Sequence, residues 1–157
     1  MSILNIITNP NNILRQKSAE ISPQEAKNGR WSDFADDMAE TMLVKDGVGL
    51  AAPQVGHNIR LITVNTKGGV LAMINPVLTK KSLAKNWDEE GCLSVPNTFG
   101  QVRRHTKVRC RFITPQGETK HIEANGFLAR VIQHEIDHLD GILFIDKARD
   151  IHEANTL

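Results

Sequence analysis

A chain of 157 residues, 40% hydrophobic and 24% charged, can bury the core of one soluble domain without disulfide staples. Its net charge of +1 leaves no basic surplus to draw it to nucleic acid, and no stretch approaches the ~18 apolar residues of a membrane span. The opening Met1-Ser2-Ile3-Leu4-Asn5 has neither signal-peptide nor transit-peptide character, so a cytoplasmic protein with Cys92 and Cys110 as free thiols is expected.

Residues 10–17 read as a short helix with Ile13 and Leu14 turned inward. A clearer helix is expected over 32–45. There Trp31, Phe34, Ala35, Met38, Ala39 and Met42 recur at helical spacing, opposite Asp33, Asp36, Asp37 and Glu40. Ser32 is the expected N-cap and Gly47 the expected stop. This stripe reads as core packing, not as a cofactor box. The period then falls to two: residues 59–65 and 70–76 read as a hairpin about Lys67-Gly68-Gly69, with 77–82 extending the sheet. Val108, Cys110 and Phe112 alternate with Lys107, Arg109 and Arg111 in a half-buried strand, which makes Cys110 a core thiol. Residues 119–124 complete a second hairpin. No internal repeat or linker interrupts 1–157. The expectation is one α+β domain, with antiparallel β-sheets packed around a C-terminal metal-binding helix and an amphipathic helix in the N-terminal third.

The C-terminal helix carries the chemistry. His134-Glu135-Ile136-Asp137-His138 sets two imidazoles on one helical face, where both can reach one metal ion at about 2.0–2.1 Å with Glu135 beside it to handle protons. A solvated polar face is the plain alternative for the pentapeptide alone. Leu128, Ile132, Ile136 and Leu139 form an apolar stripe, however, so the helix is partly buried and its charges need partners. Catalytic zinc-type sites use three protein ligands plus water, which leaves one ligand to be found upstream. Cys92 in Glu90-Gly91-Cys92-Leu93-Ser94 can supply a thiolate, and residues 47–54 form a small-residue loop behind the long helix. Neither segment is decisive alone, since a lone cysteine is usually a small buried hydrophobe and a glycine loop usually a turn.

In this order, GVGLAAPQ, EGCLS and HEIDHLDG resemble the three signature motifs of peptide deformylases, and the resemblance runs from the Ile13-Leu14-Arg15 region through Asn75-Pro76 to Asp146. It implies that Cys92, His134 and His138 bind one divalent metal ion, with water in the fourth position. Ligand type alone would allow zinc; the family implies Fe(II), with nickel or cobalt as working substitutes. The implied substrate is the N-formylmethionyl end of a nascent polypeptide, cleaved to formate and a free amino terminus. Glu135 would move the proton, and the Gln54 side-chain amide and the Leu93 backbone N–H would stabilise the oxyanion. Backbone near Gly49 and Gly91 would pair with the extended substrate, and Val48, Phe127 and Val131 would form the apolar pocket for methionine.

Around this set, Glu90 is expected to pair with Arg103 or Arg104 and hold the cysteine loop. Arg130 reads as part of a solvated helix face, and His57, His105, His121 and His152 as surface residues. Asp88 is expected to add a charge at the pocket rim. Many bacterial members dock on the ribosome through a long C-terminal helix; residues 146–157 are too short and polar for one, which puts that attachment in doubt. Two other classes stay open. One is a zincin-type metalloprotease, whose third ligand would be His152 or Glu153; the other is a non-catalytic binding module stabilised by a closed metal site.

Overall fold

A computed structural model describes residues 2–154. In chain order its elements are α1 (Pro23–Lys27), α2 (Ser32–Val44), β1 (Gly49–Ala51), β2 (Leu61–Thr66), β3 (Gly69–Lys81), β4 (Lys85–Cys92), β5 (Val95–His105), β6 (Lys107–Ile113), β7 (Thr119–Asn125), α3 (Gly126–Leu139) and β8 (Arg149–Glu153). Short 3₁₀ turns lie at Asn12–Arg15, Ala52–Val55 and Phe144–Asp146. The strands form two antiparallel sheets, ordered β1-β2-β3-β6-β7 and β4-β5-β8. α3 packs against both. The fold is α+β, as expected.

Side-chain alternation sets the layers. In β2, Ile62 and Val64 point to one face of the larger sheet while Leu61 and Thr63 point to the other. On the first face they join Val108, Cys110 and Phe112 of β6 and meet Ala129, Ile132 and Leu139 of α3. On the second, Leu61 and Ile74 meet Ala35, Met38 and Met42 of α2. Burying a Leu, Ile, Val or Met side chain is worth roughly 1.5–3 kcal/mol, so these two interfaces fix α3 and α2 on the sheet far more firmly than surface ion pairs could. A third cluster of Leu14, Val95, Val102, Leu143 and Phe144 ties the N-terminal segment to the smaller sheet.

Several elements differ from the sequence expectation. The early helix contracts to the turn Asn12–Arg15, with Leu14 buried and Ile13 half-buried. Ser32 is the first helical residue rather than the N-cap, and its hydroxyl donates to the Pro115 carbonyl (3.1 Å). The left-handed residue that ends α2 is Asp46 (φ +56°), not Gly47, a conformation aspartate tolerates better than most side chains. Gly47 is small for another reason: a Cβ there would lie 3.1 Å from the Leu93 side chain. Gly69 belongs to β3, because Thr66 pairs with it across a two-residue turn. The extension 77–82 is not a separate strand: β3 runs on through Lys81, bent by two register shifts. α1, the β4–β5 hairpin and β8 were outside the sequence expectation. The polar tail was expected to hold no long helix; it forms β8 over Arg149–Glu153, and residues 155–157 lie outside the described residues.

α3 ends where Gly141 takes φ +75°, the Gly141 N–H donates to His138 O and the Ile142 N–H to Asp137 O. A Cβ at Gly141 would stand 2.5 Å from the Arg15 carbonyl oxygen. Gly141→Ala is expected to cost more than about 2 kcal/mol, from left-handed strain plus this clash. A lowered urea midpoint at unchanged slope is the measurement that checks it.

Candidate active site

α3 presents His134 and His138 one turn apart, with ring centroids 5.0 Å from each other. Cys92 arrives from the end of β4, where β4–β5 pairing jumps from Gly91–Phe99 to Cys92–Val95. That irregularity turns the thiol toward the helix. One ligand atom from each of Cys92, His134 and His138 lies within 4.8 Å of the others, and Cys92 Sγ is 3.3 Å from His138 Nε2. A soft sulfur and two imidazole nitrogens, so grouped, fit a borderline divalent ion. Beside them, Glu135 Oε2 and His138 Nδ1 are buried without a hydrogen-bond partner among the described residues, as expected next to a site that takes a further group.

Glu90 organises this floor. Its Oε1 accepts from His134 Nδ1 (2.8 Å) and Arg104 Nη2 (2.9 Å), and its Oε2 accepts from Arg104 Nε (2.8 Å) and Arg130 Nη1 (2.7 Å). With Nδ1 committed to Glu90, Nε2 of His134 is the nitrogen left for an ion. The partner of Glu90 is therefore Arg104, while Arg103 is exposed. Arg130 overturns its expectation: it is buried, because four acceptors on β4 and β5 take its N–H groups. His57, His121 and His152 are exposed as expected, but His105 is half-buried, bonded through Nδ1 to the Ser82 carbonyl (2.6 Å). The sequence signal for Arg130 was its position one turn before His134, on the same face.

The glycine loop supplies the opposite wall. A Cβ at Gly49 would lie 2.5 Å from Glu135 Oε1, so only glycine lets β1 run this close to the carboxylate. Gly91 is held likewise, its imagined Cβ 2.7 Å from the Phe99 ring. Gln54 is buried with its amide direction fixed. Oε1 accepts the Ala51 N–H (2.9 Å), which leaves Nε2 facing Ser94 Oγ (3.1 Å) and Cys92 Sγ (3.5 Å). Leu93 occupies the turn directly after Cys92.

The electrostatics favour positive charge between Cys92 and Glu90. Burial alone would raise the Glu90 carboxyl, but bonds from Arg104 and His134 hold it well below the usual carboxylate range. Burial would likewise lower His134, yet Cys92 and Glu90 outweigh it and push the imidazole up to about 10. His138 is driven down by burial and by the neighbouring His134 and Arg104. Burial pushes the Glu135 carboxyl up to about 7, a range in which a carboxylate can both take and return a proton at neutral pH.

Above the floor opens a cavity of about 520 Å³ whose lining includes Val48, Leu93, Phe99, Phe127 and Val131. Val131 is buried, whereas Val48 and Phe127 stand exposed at the mouth. Asp88 is not at this rim: it points to solvent, and Glu89 and Glu90 are the β4 acids that line the cavity. His152 sits on exposed β8 against Glu89 (3.2 Å), and among the described residues the group that could hold a metal ion contains Cys92 in place of His152 or Glu153.

An α+β scaffold that gathers a cysteine sulfur, two imidazoles and a buried carboxyl group beneath an apolar cleft is that of a metal-dependent hydrolase. A family profile described as polypeptide deformylase matches residues 3–154. A peptide deformylase of Desulfitobacterium hafniense is 44% identical over 152 residues, covering 95% of this chain and 97% of its own. Two similar solved structures cover 94–95% of this chain and 99% of theirs. One is a Met-Ala-Ser-bound class I type b peptide deformylase from Acinetobacter baumannii (38% identity, TM-score 0.87), the other a peptide deformylase from Thermotoga maritima (34%, 0.89). The chain belongs to the peptide deformylase family, metallohydrolases that remove the N-formyl group from nascent peptides and release formate. The protease and binding-module alternatives fall away.

Gly49→Ala tests the fit of the loop against Glu135. Displacing that carboxylate by about an ångström is expected to cost ~10²-fold in kcat/KM. Metal content measured by atomic emission should stay at the wild-type level.

Proposed function

We propose that Cys92, His134 and His138 hold one divalent ion, Fe(II) by family resemblance, and that residues 1–157 act as a single cytoplasmic catalytic unit on formylmethionyl chains. The observation that carries the reading is the sulfur-and-two-nitrogen cluster beside a buried, unpartnered carboxylate. When bound, the ion would supply an activated water and polarise the formyl carbonyl.

The chain's own groups would do the rest. Glu135 would accept a proton from the attacking water and return it to the departing amine. The Nε2 amide of Gln54, aimed by the Ala51 N–H, and the Leu93 N–H would donate to the oxyanion growing on the formyl carbon. β1 is an edge of the larger sheet and β4 an edge of the smaller one, so a peptide laid between them could bond to backbone at Gly49 and Gly91 as an added strand. Main-chain bonds of this kind accept many sequences, while Val48, Phe127 and Val131 would select an apolar first side chain. That the Acinetobacter relative is a Met-Ala-Ser complex supports a peptide of this length and class as the ligand.

The assay is formate release from formyl-Met-Ala-Ser, with acetyl-Met-Ala-Ser and unblocked casein as comparisons. Casein digestion without formate release would discard the reading. Glu135→Ala should retain one metal ion per chain and lose ~10²–10⁴ in turnover. Gln54→Ala should lose about 10²–10³ in kcat. Near-normal rates in either variant would remove that residue from its assigned role. Anaerobic purification followed by metal analysis should find iron, and chelation should abolish formate release until nickel or cobalt is added.

A further inference from the structure

A charged side chain on an amphipathic helix normally points to solvent, yet the Arg130 side chain is only 6% exposed. Its Nη1 donates to Glu90 Oε2 (2.7 Å) and Val102 O (2.8 Å), and its Nη2 to Asn86 O (3.0 Å) and Asn86 Oδ1 (2.9 Å). Asn86 and Glu90 lie on β4 and Val102 on β5, the hairpin whose turn begins at Cys92. Arg130 therefore spans from the helix bearing both histidines to the hairpin bearing the cysteine. A second bridge, Arg104 Nη1 to Asp137 Oδ2 (2.6 Å), crosses the same gap beside His138. The two crossings leave α3 one turn before His134 and one residue before His138. Buried ion pairs are often replaceable by apolar side chains at no cost in stability, so stability alone is a poor account of this one.

We infer that Arg130 is a positioning residue for the metal centre. It holds Glu90 Oε2, so that Oε1 stays committed to His134 Nδ1, and it sets the separation between the Cys92 hairpin and α3. The inference rests on Cys92, His134 and His138 being the ligands.

Cobalt(II) titration of the metal-free protein tests it, read by thiolate-to-cobalt charge-transfer absorbance, chelator competition and the thermal midpoint. The control is Arg60→Met. That guanidinium bonds the Leu139 carbonyl (3.0 Å) and Asp140 at the C-terminal end of α3, so its loss removes a contact of the same helix that reaches neither Glu90 nor the Cys92 hairpin. Arg130→Met is expected to weaken cobalt binding by about 10–100-fold and to alter the charge-transfer band. Arg130→Lys should recover part of the affinity, because an ammonium can reach Glu90 but cannot fork to Asn86. Arg60→Met should lower the midpoint and leave cobalt affinity unchanged. Wild-type affinity and spectrum in Arg130→Met, whatever its midpoint, would overturn the inference. If Arg130→Met does not fold, Asn86→Ala is read the same way: weakened cobalt binding supports the role and unchanged binding overturns it. A wild-type protein without the charge-transfer band, or a Cys92→Ala variant that keeps it, would remove the ligand reading and this inference with it.

Discussion

The site depends on one buried carboxylate. Taking Glu90 out of water costs several kcal/mol, more than a single ion pair recovers. Four charge-assisted hydrogen bonds, from Arg104, Arg130 and His134, at roughly 1.5–3 kcal/mol each, offset that cost and leave no oxygen lone pair idle. The outcome is directional. An ionised Glu90 accepts a hydrogen bond from the Nδ1–H of His134, fixes the ring's tautomer and turn, and so presents Nε2 to the space that Cys92 and His138 also face. A protonated or absent Glu90 would leave Arg130 without a carboxylate partner and Arg104 with Asp137 alone.

The second constraint is close approach. Loop, hairpin and helix converge so tightly that two backbone positions admit no Cβ, one against Glu135 and one against Phe99. The closeness is what makes the buried carboxylate dry, and dryness is what carries its proton affinity toward neutrality. The same convergence leaves two sheet edges, β1 and β4, facing a common cleft. Sheet edges are normally hidden or blunted, so two of them beside an apolar cavity suit a passing extended chain better than a folded partner.

What could be read in the sequence followed from local pattern. His134, Glu135 and His138 share a helical face by spacing alone, β2 and β6 follow from a period of two, and β7 follows as the partner that completes the β6 hairpin. The β4–β5 hairpin was not legible, because Lys85–Cys92 is exposed along most of its length and reads as a run of charges with no apolar period. Arg130 was misread for a related reason: its acceptors lie 28 to 44 residues away, and no local pattern distinguishes a solvated arginine from one that a distant strand covers. Ser32 and Gly47 obeyed capping preferences in type but not in place. Asp46 could adopt the left-handed turn itself, which freed Gly47 to be small against Leu93.

The periphery of the site shows which forces hold it. His134 stacks on Phe144 (centroids 6.1 Å apart, planes at 22°), and Phe144 shares its cluster with Leu14 from the N-terminal segment. Arg15, the next residue, pairs with Asp146. Burial alone would raise Asp146, but Arg15 and the Leu143 N–H hold its carboxyl below the usual range. A depressed folded-state value means the pair's contribution is present above the ordinary aspartate range, about 3.9, and lost as acid carries the pH below it. Both partners are more than a third exposed, so that contribution is at most about 1 kcal/mol. Leu14 and Phe144, fully buried, are worth roughly 1.5–3 kcal/mol each. The N-terminal segment is therefore held beneath His134 by packing, and the ion pair only trims its position; acid that neutralises Asp146 should loosen the rim before it disturbs the floor.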